Sequence, residues 1–143
     1  SEVHRQALIE GLKDGTIDVI ASDHAPHNWK EKDVEYASAA NGIVGLETAV
    51  SLTLSELVYT NTLTIHQAIA KLSTNPARIL GLKGGALNEG READVTILDL
   101  QKEFIVNPVT FQSKSRNTPF VGKKLRGGAV MTIVGGKVIW EVQ

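Results

Sequence analysis

The apolar pattern of this chain changes its period once, at Lys83-Gly84-Gly85, and that change limits the folds open to it. Upstream, apolar residues recur at helical spacing around one short β-branched run. Ser1 stands as N-cap of a helix predicted over 2–13, with Val3, Ala7, Leu8 and Leu12 at helical spacing and Asp14-Gly15 as its stop. Ile17-Asp18-Val19-Ile20-Ala21-Ser22 then has the length and content of a buried strand. Helix, glycine turn and apolar strand make the αβ half of a parallel α/β unit. Residues 28–42 are polar and irregular and read as a long loop, a kind that is often functional. A helix follows over 46–59, with positions 46, 49, 50, 54, 57 and 58 on one apolar face. Thr64 and Gln67 form a capping box for the next helix, whose apolar face is Ile65, Ala68, Ile69 and Leu72. Asn75-Pro76 reads as the cap and first position of a third helix, stopped by Gly81.

Downstream, helical periodicity disappears. Residues 94–100, 104–106 and 129–140 read as strands, the last broken by the two-residue hairpin signal Gly135-Gly136. The expected organisation is α/β material over 1–82 and a mostly β module over 83–143. The 143 residues suffice for a domain of ordinary size. They cannot build a whole (β/α)8 barrel, which takes ~250.

Fifteen Lys and Arg against 16 Asp and Glu leave a net charge of −1. A general nucleic-acid binder would show a basic surplus on one face, so that class is set aside. No apolar run reaches the ~20 residues of a membrane-spanning helix. The start, SEVHRQALIEGL, has no secretory layout. Without cysteine there is no disulfide, no Cys-ligated zinc and no thiol nucleophile. The expectation is a cytoplasmic protein.

The sharpest chemical cluster is Ser22-Asp23-His24-Ala25-Pro26-His27, directly after the apolar run. In α/β barrels and open α/β sheets, ligands and catalytic groups gather at that end of a strand. Asp is a hard oxygen ligand and His the commonest nitrogen ligand for a divalent metal. The plainer reading is an Asp capping the turn beside two solvent-exposed histidines. One carboxylate is not a metal site.

Ile20-Ala-Ser-Asp-His-Ala-Pro-His27 resembles the signature after the last barrel strand of dihydroorotases, in the amidohydrolase superfamily. Asn41-Gly42-Ile43-Val44-Gly45-Leu46-Glu47-Thr48-Ala49 resembles that family's glycine-rich loop leading into a helix. Asn75-Pro-Ala-Arg-Ile-Leu-Gly-Leu82, Gly90-Arg-Glu-Ala-Asp-Val-Thr-Ile-Leu-Asp99, Ser113-Lys-Ser-Arg-Asn-Thr-Pro-Phe120 and Val134-Gly-Gly-Lys-Val-Ile-Trp-Glu141 follow in family order. The resemblance covers essentially the whole chain.

It implies the C-terminal part of a metal-dependent (β/α)8 TIM barrel, its last strand and helices, followed by part of a small composite β-sandwich. The implied reaction is reversible cyclisation of N-carbamoyl-L-aspartate to dihydroorotate, in pyrimidine biosynthesis. By resemblance, Asp23 ligates the metal, taken to be zinc, and shuttles the proton. His27 meets the substrate carboxylate, and Asn41 and Gly42 contact substrate through their backbone. The remaining metal ligands, including the family's His-x-His pair, have no counterpart among the four histidines here. The resemblance admits aspartate transcarbamoylase and a second copy of the chain as partners. Two other readings stand beside it: a non-catalytic dihydroorotase-like scaffold subunit of aspartate transcarbamoylase, and a hydantoinase- or allantoinase-type enzyme. His24 is expected to hydrogen-bond within the turn through its ring. His4 and His66 are expected to be bystanders, and Glu47 to complement a helix dipole. Arg116 and Asn117 are assigned to the β module, away from the strand-end face. The residues do not decide a role for Trp29 and Lys30.

Overall fold

The computed structural model describes residues 1–142. Helix α1, Glu2–Asp14, ends at Gly15 with φ 88°, the left-handed stop that glycine adopts without a Cβ penalty. Ser1 occupies the N-cap position, but its side chain makes no capping bond. None of the helix is buried, and Val3 and Leu8, on its apolar spacing, are 75% and 59% exposed.

Residues 17–22 correct an expectation: they form no strand. A strand is defined by its ladder, and among the described residues none pairs with this run. It is held instead by a helical stretch well downstream in sequence. Ile20 N–H donates to the Lys71 carbonyl at 3.1 Å, the Lys71 ammonium to the Ile17 carbonyl, and the Asn75 side-chain amide to the Asp18 carbonyl at 2.9 Å.

That helical stretch corrects a second expectation. Asn75-Pro76 opens no new helix. Helix α4, Ile65–Ile69, runs through a wide π turn, Ala70–Thr74, into α5, Asn75–Ile79, without a break. The Thr64–Gln67 capping box at its start is present as expected. Proline inside a helix has no N–H and crowds the preceding turn. Here Asn75 N–H reaches back five residues to Ala70, and Pro76, five residues past Lys71, has no N–H to offer. The Lys71 carbonyl is thus left for Ile20. A proline and a π turn together convert a helix into a docking edge.

Within residues 28–42, Trp29–Lys32 form the short helix α2 under an Asn28–Glu31 capping box, and a 3-10 turn spans Tyr36–Ser38. Helix α3, Leu46–Thr53, also widens into a π turn, Leu54–Val58. Of the apolar face expected, Leu54 is buried, but Leu46 is exposed and the polar Thr48, Ser51 and Thr53 are covered as well. Small side chains let this helix approach the sheet closely.

The sheet is an antiparallel meander, β1 (Val95–Ile105), β2 (Lys124–Val134) and β3 (Lys137–Glu141). The two expected strands at 94–100 and 104–106 are one bulged strand, its register shifting between Asp99 and Glu103. Gly135 and Gly136, with φ 55° and 77°, make the tight turn of the β2–β3 hairpin. Gly127 and Gly128 on β2 face α3. A Cβ at Gly127 would stand 2.6 Å from Leu54 Cδ1, and one at Gly128 3.2 Å from Ser51 Oγ. Ser55 Oγ completes the seam by donating to the Arg126 carbonyl and accepting its N–H. The buried apolar residues Leu54, Val106 and Leu125 sit about this junction.

Candidate active site

The carboxylate of Asp23 stands at the end of the run 17–22, exposed, with Oδ1 accepting the His24 N–H at 2.7 Å. Oδ2 faces the Asn41-Gly42 loop. A Cβ at Gly42, where φ is 92°, would lie 3.7 Å from Oδ2 and only 2.5 Å from the Ala25 methyl. Glycine is required there by backbone conformation and by space alike. Next to it, a Cβ at Gly45 would overlap the Asp23 carbonyl and the Ser22 hydroxyl. The two loops are also joined directly, Ala25 N–H donating to the Ile43 carbonyl at 2.8 Å. Asp23 and Gly42, 19 positions apart, thus meet.

His27 lies on the same turn, half-buried. Its Nδ1 is 3.4 Å from Glu31 Oε2, which leaves Nε2 as the ring nitrogen available to a ligand. A cavity of about 670 Å³ opens beside it, bordered by Pro26, Trp29, Lys32, Arg116 and Asn117. Trp29 is 67% exposed, with the Lys30 ammonium 5.9 Å above its ring. Lys32 donates to the Ala40 and Gly42 carbonyls at 2.6 and 3.1 Å, fixing the far side of the Asn41-Gly42 loop.

His24 does not do what the sequence suggested. Its Nδ1 is buried without a hydrogen-bond partner, and only its backbone N–H serves the turn, on Asp23. The ring borders a second cavity, between α3 and the sheet, lined also by Glu47, Val50, Phe104 and Trp140. His4 and His66 are exposed on helices, as expected of bystanders. Glu47 does lie in the first turn of α3, but its carboxylate accepts the N–H groups of Gln112 and Ser113 at 2.8 and 3.0 Å.

Asn117 is the largest correction. The expectation placed it away from the strand-end face, yet the segment 112–117 crosses onto that face. Asn117 Oδ1 accepts the His27 N–H at 3.2 Å, and Nδ2 donates to the carbonyls of Ala25 and Gly42 at 2.9 and 3.3 Å. Its backbone carbonyl accepts the Val44 N–H. Ser115 Oγ reaches both the His27 carbonyl and Asn117 Oδ1. The available signal was composition: Ser113-Lys-Ser-Arg-Asn117 is dense in side-chain donors and acceptors and lacks any apolar period.

A hard divalent cation fits Asp23 as one ligand, because the carboxylate is exposed and only Oδ1 is engaged. Among the described residues no group of three or more His, Cys, Asp or Glu could hold a metal.

The chain is 53% identical over 134 residues to a dihydroorotase of Acetivibrio thermocellus and 55% identical over 135 to one of Pelotomaculum thermopropionicum. Each match covers 94% of this chain and 32% of the relative, so the chain spans about a third of the length of the curated relatives it matches. Among solved structures, the L-hydantoinase (dihydropyrimidinase) of Arthrobacter aurescens superposes with a TM-score of 0.87 at 33% identity, over 94% of this chain and 31% of that one. A D-hydantoinase from a Thermus species gives 0.87 at 27% identity, over 95% and 31%. Residues 1–139 match the amidohydrolase family, and the chain belongs to it.

Proposed function

We propose that this chain is the C-terminal part of a dihydroorotase, which interconverts N-carbamoyl-L-aspartate and dihydroorotate. In this reading residues 1–82 close a TIM barrel and 83–143 contribute to a composite β-sandwich. The observation that carries it is the meeting of the Asp23 carboxylate, the His27 turn and the Asn41-Gly42 loop on one face. It is supported by the 53% and 55% identity to proteins named dihydroorotase.

Ring opening breaks the amide C–N bond as a water oxygen bonds to the carbonyl carbon. Asp23 accepts the proton that this water loses and returns it to the departing ring nitrogen, so the carboxylate ends as it began. Its Oδ1 bond to the His24 N–H fixes the orientation from which Oδ2 works. Asp23 would also be one ligand of a divalent metal, zinc by preference, which supplies Lewis acidity on the carbonyl and lowers the pKa of a bound water towards ~7. His27 Nε2 holds the carboxylate of the substrate, and Asn41 and Gly42 offer backbone groups beside it. Glycine at 42 keeps that wall free of a side chain.

The likeness to hydantoinase structures supports a second reading, a cyclic amidohydrolase acting on hydantoin-like rings. The test is a direct comparison of substrates. The full-length protein, reconstituted with zinc, should open dihydroorotate and close N-carbamoyl-L-aspartate, with hydantoin turned over far more slowly. Preference for hydantoin would assign the second reading, and activity on none would leave a scaffold subunit. His27→Ala should raise the KM for dihydroorotate at least tenfold with metal content unchanged. Loss of metal at unchanged KM would make His27 a ligand instead.

A further inference from the structure

Asn117 makes more contacts across this site than any role so far assigned to it uses. Its one planar amide spans two loops that lie 75 to 92 residues away in sequence. We propose that Asn117 is a positioning residue: with Ser115, it holds the His27 turn and the Asn41-Gly42 loop at a fixed separation, so that the substrate-carboxylate side of the site is formed before substrate arrives. The proposal rests on the dihydroorotase reading for the identity of that substrate.

The chemistry of the clamp selects an amide. The His27 N–H needs an acceptor, while the Ala25 and Gly42 carbonyls need donors, and asparagine offers both from one rigid group. Aspartate would turn lone pairs toward two carbonyls, and leucine would leave all three backbone groups without their side-chain partner. Ser115 extends the hold by donating to the His27 carbonyl. Glu47 anchors the strap upstream through Gln112 and Ser113. The run leading into Asp23 has a hold of its own, with Ile17, Asp18 and Ile20 fastened by Lys71 and Asn75. Loosening the strap should therefore move the groups that bind the unreacting carboxylate and spare the proton shuttle. Loss of binding shared by ground and transition states raises KM and leaves kcat.

The experiment uses the full-length protein loaded with zinc. Asn117→Leu should raise the KM for dihydroorotate at least tenfold, with kcat within threefold and zinc content unchanged. Amide hydrogen exchange in peptides covering 25–28 and 40–45 should accelerate at least tenfold. Asn117→Asp, which keeps the acceptor and loses the donors, should fall between. If Asn117→Leu does not fold, Ser115→Ala carries the same test with a smaller shift in the same direction. Unchanged exchange in both peptides, an unchanged KM, or joint loss of zinc and kcat overturns the positioning role. Faster exchange in a protein whose wild type opens no dihydroorotate keeps the clamp and overturns the substrate reading alone.

Discussion

Residues 17–22 and the second half of β2 carry the same kind of sequence, Ile17-Asp18-Val19-Ile20-Ala21-Ser22 in one and Ala129-Val130-Met131-Thr132-Ile133-Val134 in the other. They end in different states. Each edge of β2 is laddered, to β1 and to β3, and Gly127 and Gly128 bring it hard against α3. Among the described residues the run 17–22 has no ladder; it is held by Gly11 of α1 at Ile17 and by the helical edge of Lys71 and Asn75. Apolar, β-branched composition thus describes a segment suited to a strand neighbour on each side; β2 has both, and 17–22 has neither among the described residues. The difference also sorts chemistry from architecture. The run 17–22 ends in Asp23, an exposed carboxylate, whereas β2 ends in a tight hairpin whose Gly135 N–H is held by Asp94 Oδ1.

Substitutions can break this contrast, and the largest effect belongs at Asp23. Asp23→Asn in the full-length protein should lower kcat by more than tenfold and leave the melting temperature near that of the wild type. Asparagine keeps the shape but cannot take the proton. Retention of more than a tenth of kcat would remove Asp23 from the shuttle. On the laddered side the effect should be structural. Gly127→Ala places a methyl in left-handed backbone and 2.6 Å from Leu54 Cδ1, and should cost about 2–4 kcal/mol in denaturant unfolding, with KM unchanged. A cost under about 1 kcal/mol would mean that α3 and β2 separate freely.

The latch itself should register less. Asn75→Ala removes the bond to the Asp18 carbonyl and should cost about 1 kcal/mol, with faster amide exchange confined to 17–22. Exchange spreading into β2 would show that the two regions are not independent. The smallest effect lies on α1, which has neither ladder nor buried face. The Glu2 carboxyl is lowered from 4.5 to about 2, first by hydrogen bonds from Arg5 and then by one from Gln6. A depressed folded pKa stabilises above the unfolded value and is lost as pH falls through the folded one. The α1 contribution should accordingly be complete above pH 4.5 and fade toward pH 2, and be slight because the pair is exposed. Residue-resolved titration of Glu2 checks it, and an ordinary midpoint near 4.5 would contradict it.

Local chemistry was legible in the sequence. The Thr64–Gln67 box, the Gly15 stop and the Gly135-Gly136 turn are each fixed by residues a few positions apart, and each stands where expected. The structure adds that Asp23 and Gly42, singled out separately in the sequence, lie side by side. What the sequence hid were consequences of distant packing. Pro76 looked like a helix start because its missing N–H suits that position, and only the π turn at 70–74 reveals its use inside a helix. The buried face of α3 differs from the apolar positions expected because glycines on β2, more than 70 positions away, let the helix close in with Ser51 and Leu54 against the sheet. Asn117 escaped for the same reason: its partners are backbone groups of other loops, which leave no trace in its own neighbourhood.

The central claim is that Asp23 is this chain's one contribution to a metal centre completed by residues beyond it. Residues 1–143 alone and the full-length protein, each supplied with zinc, should be assayed side by side for dihydroorotate ring opening and bound metal. The account predicts turnover and bound zinc in the full-length protein, and neither turnover nor a tight stoichiometric site in the 143-residue chain, since a catalytic zinc takes about three protein ligands. Turnover by the isolated chain, with about one zinc bound per chain, would contradict it.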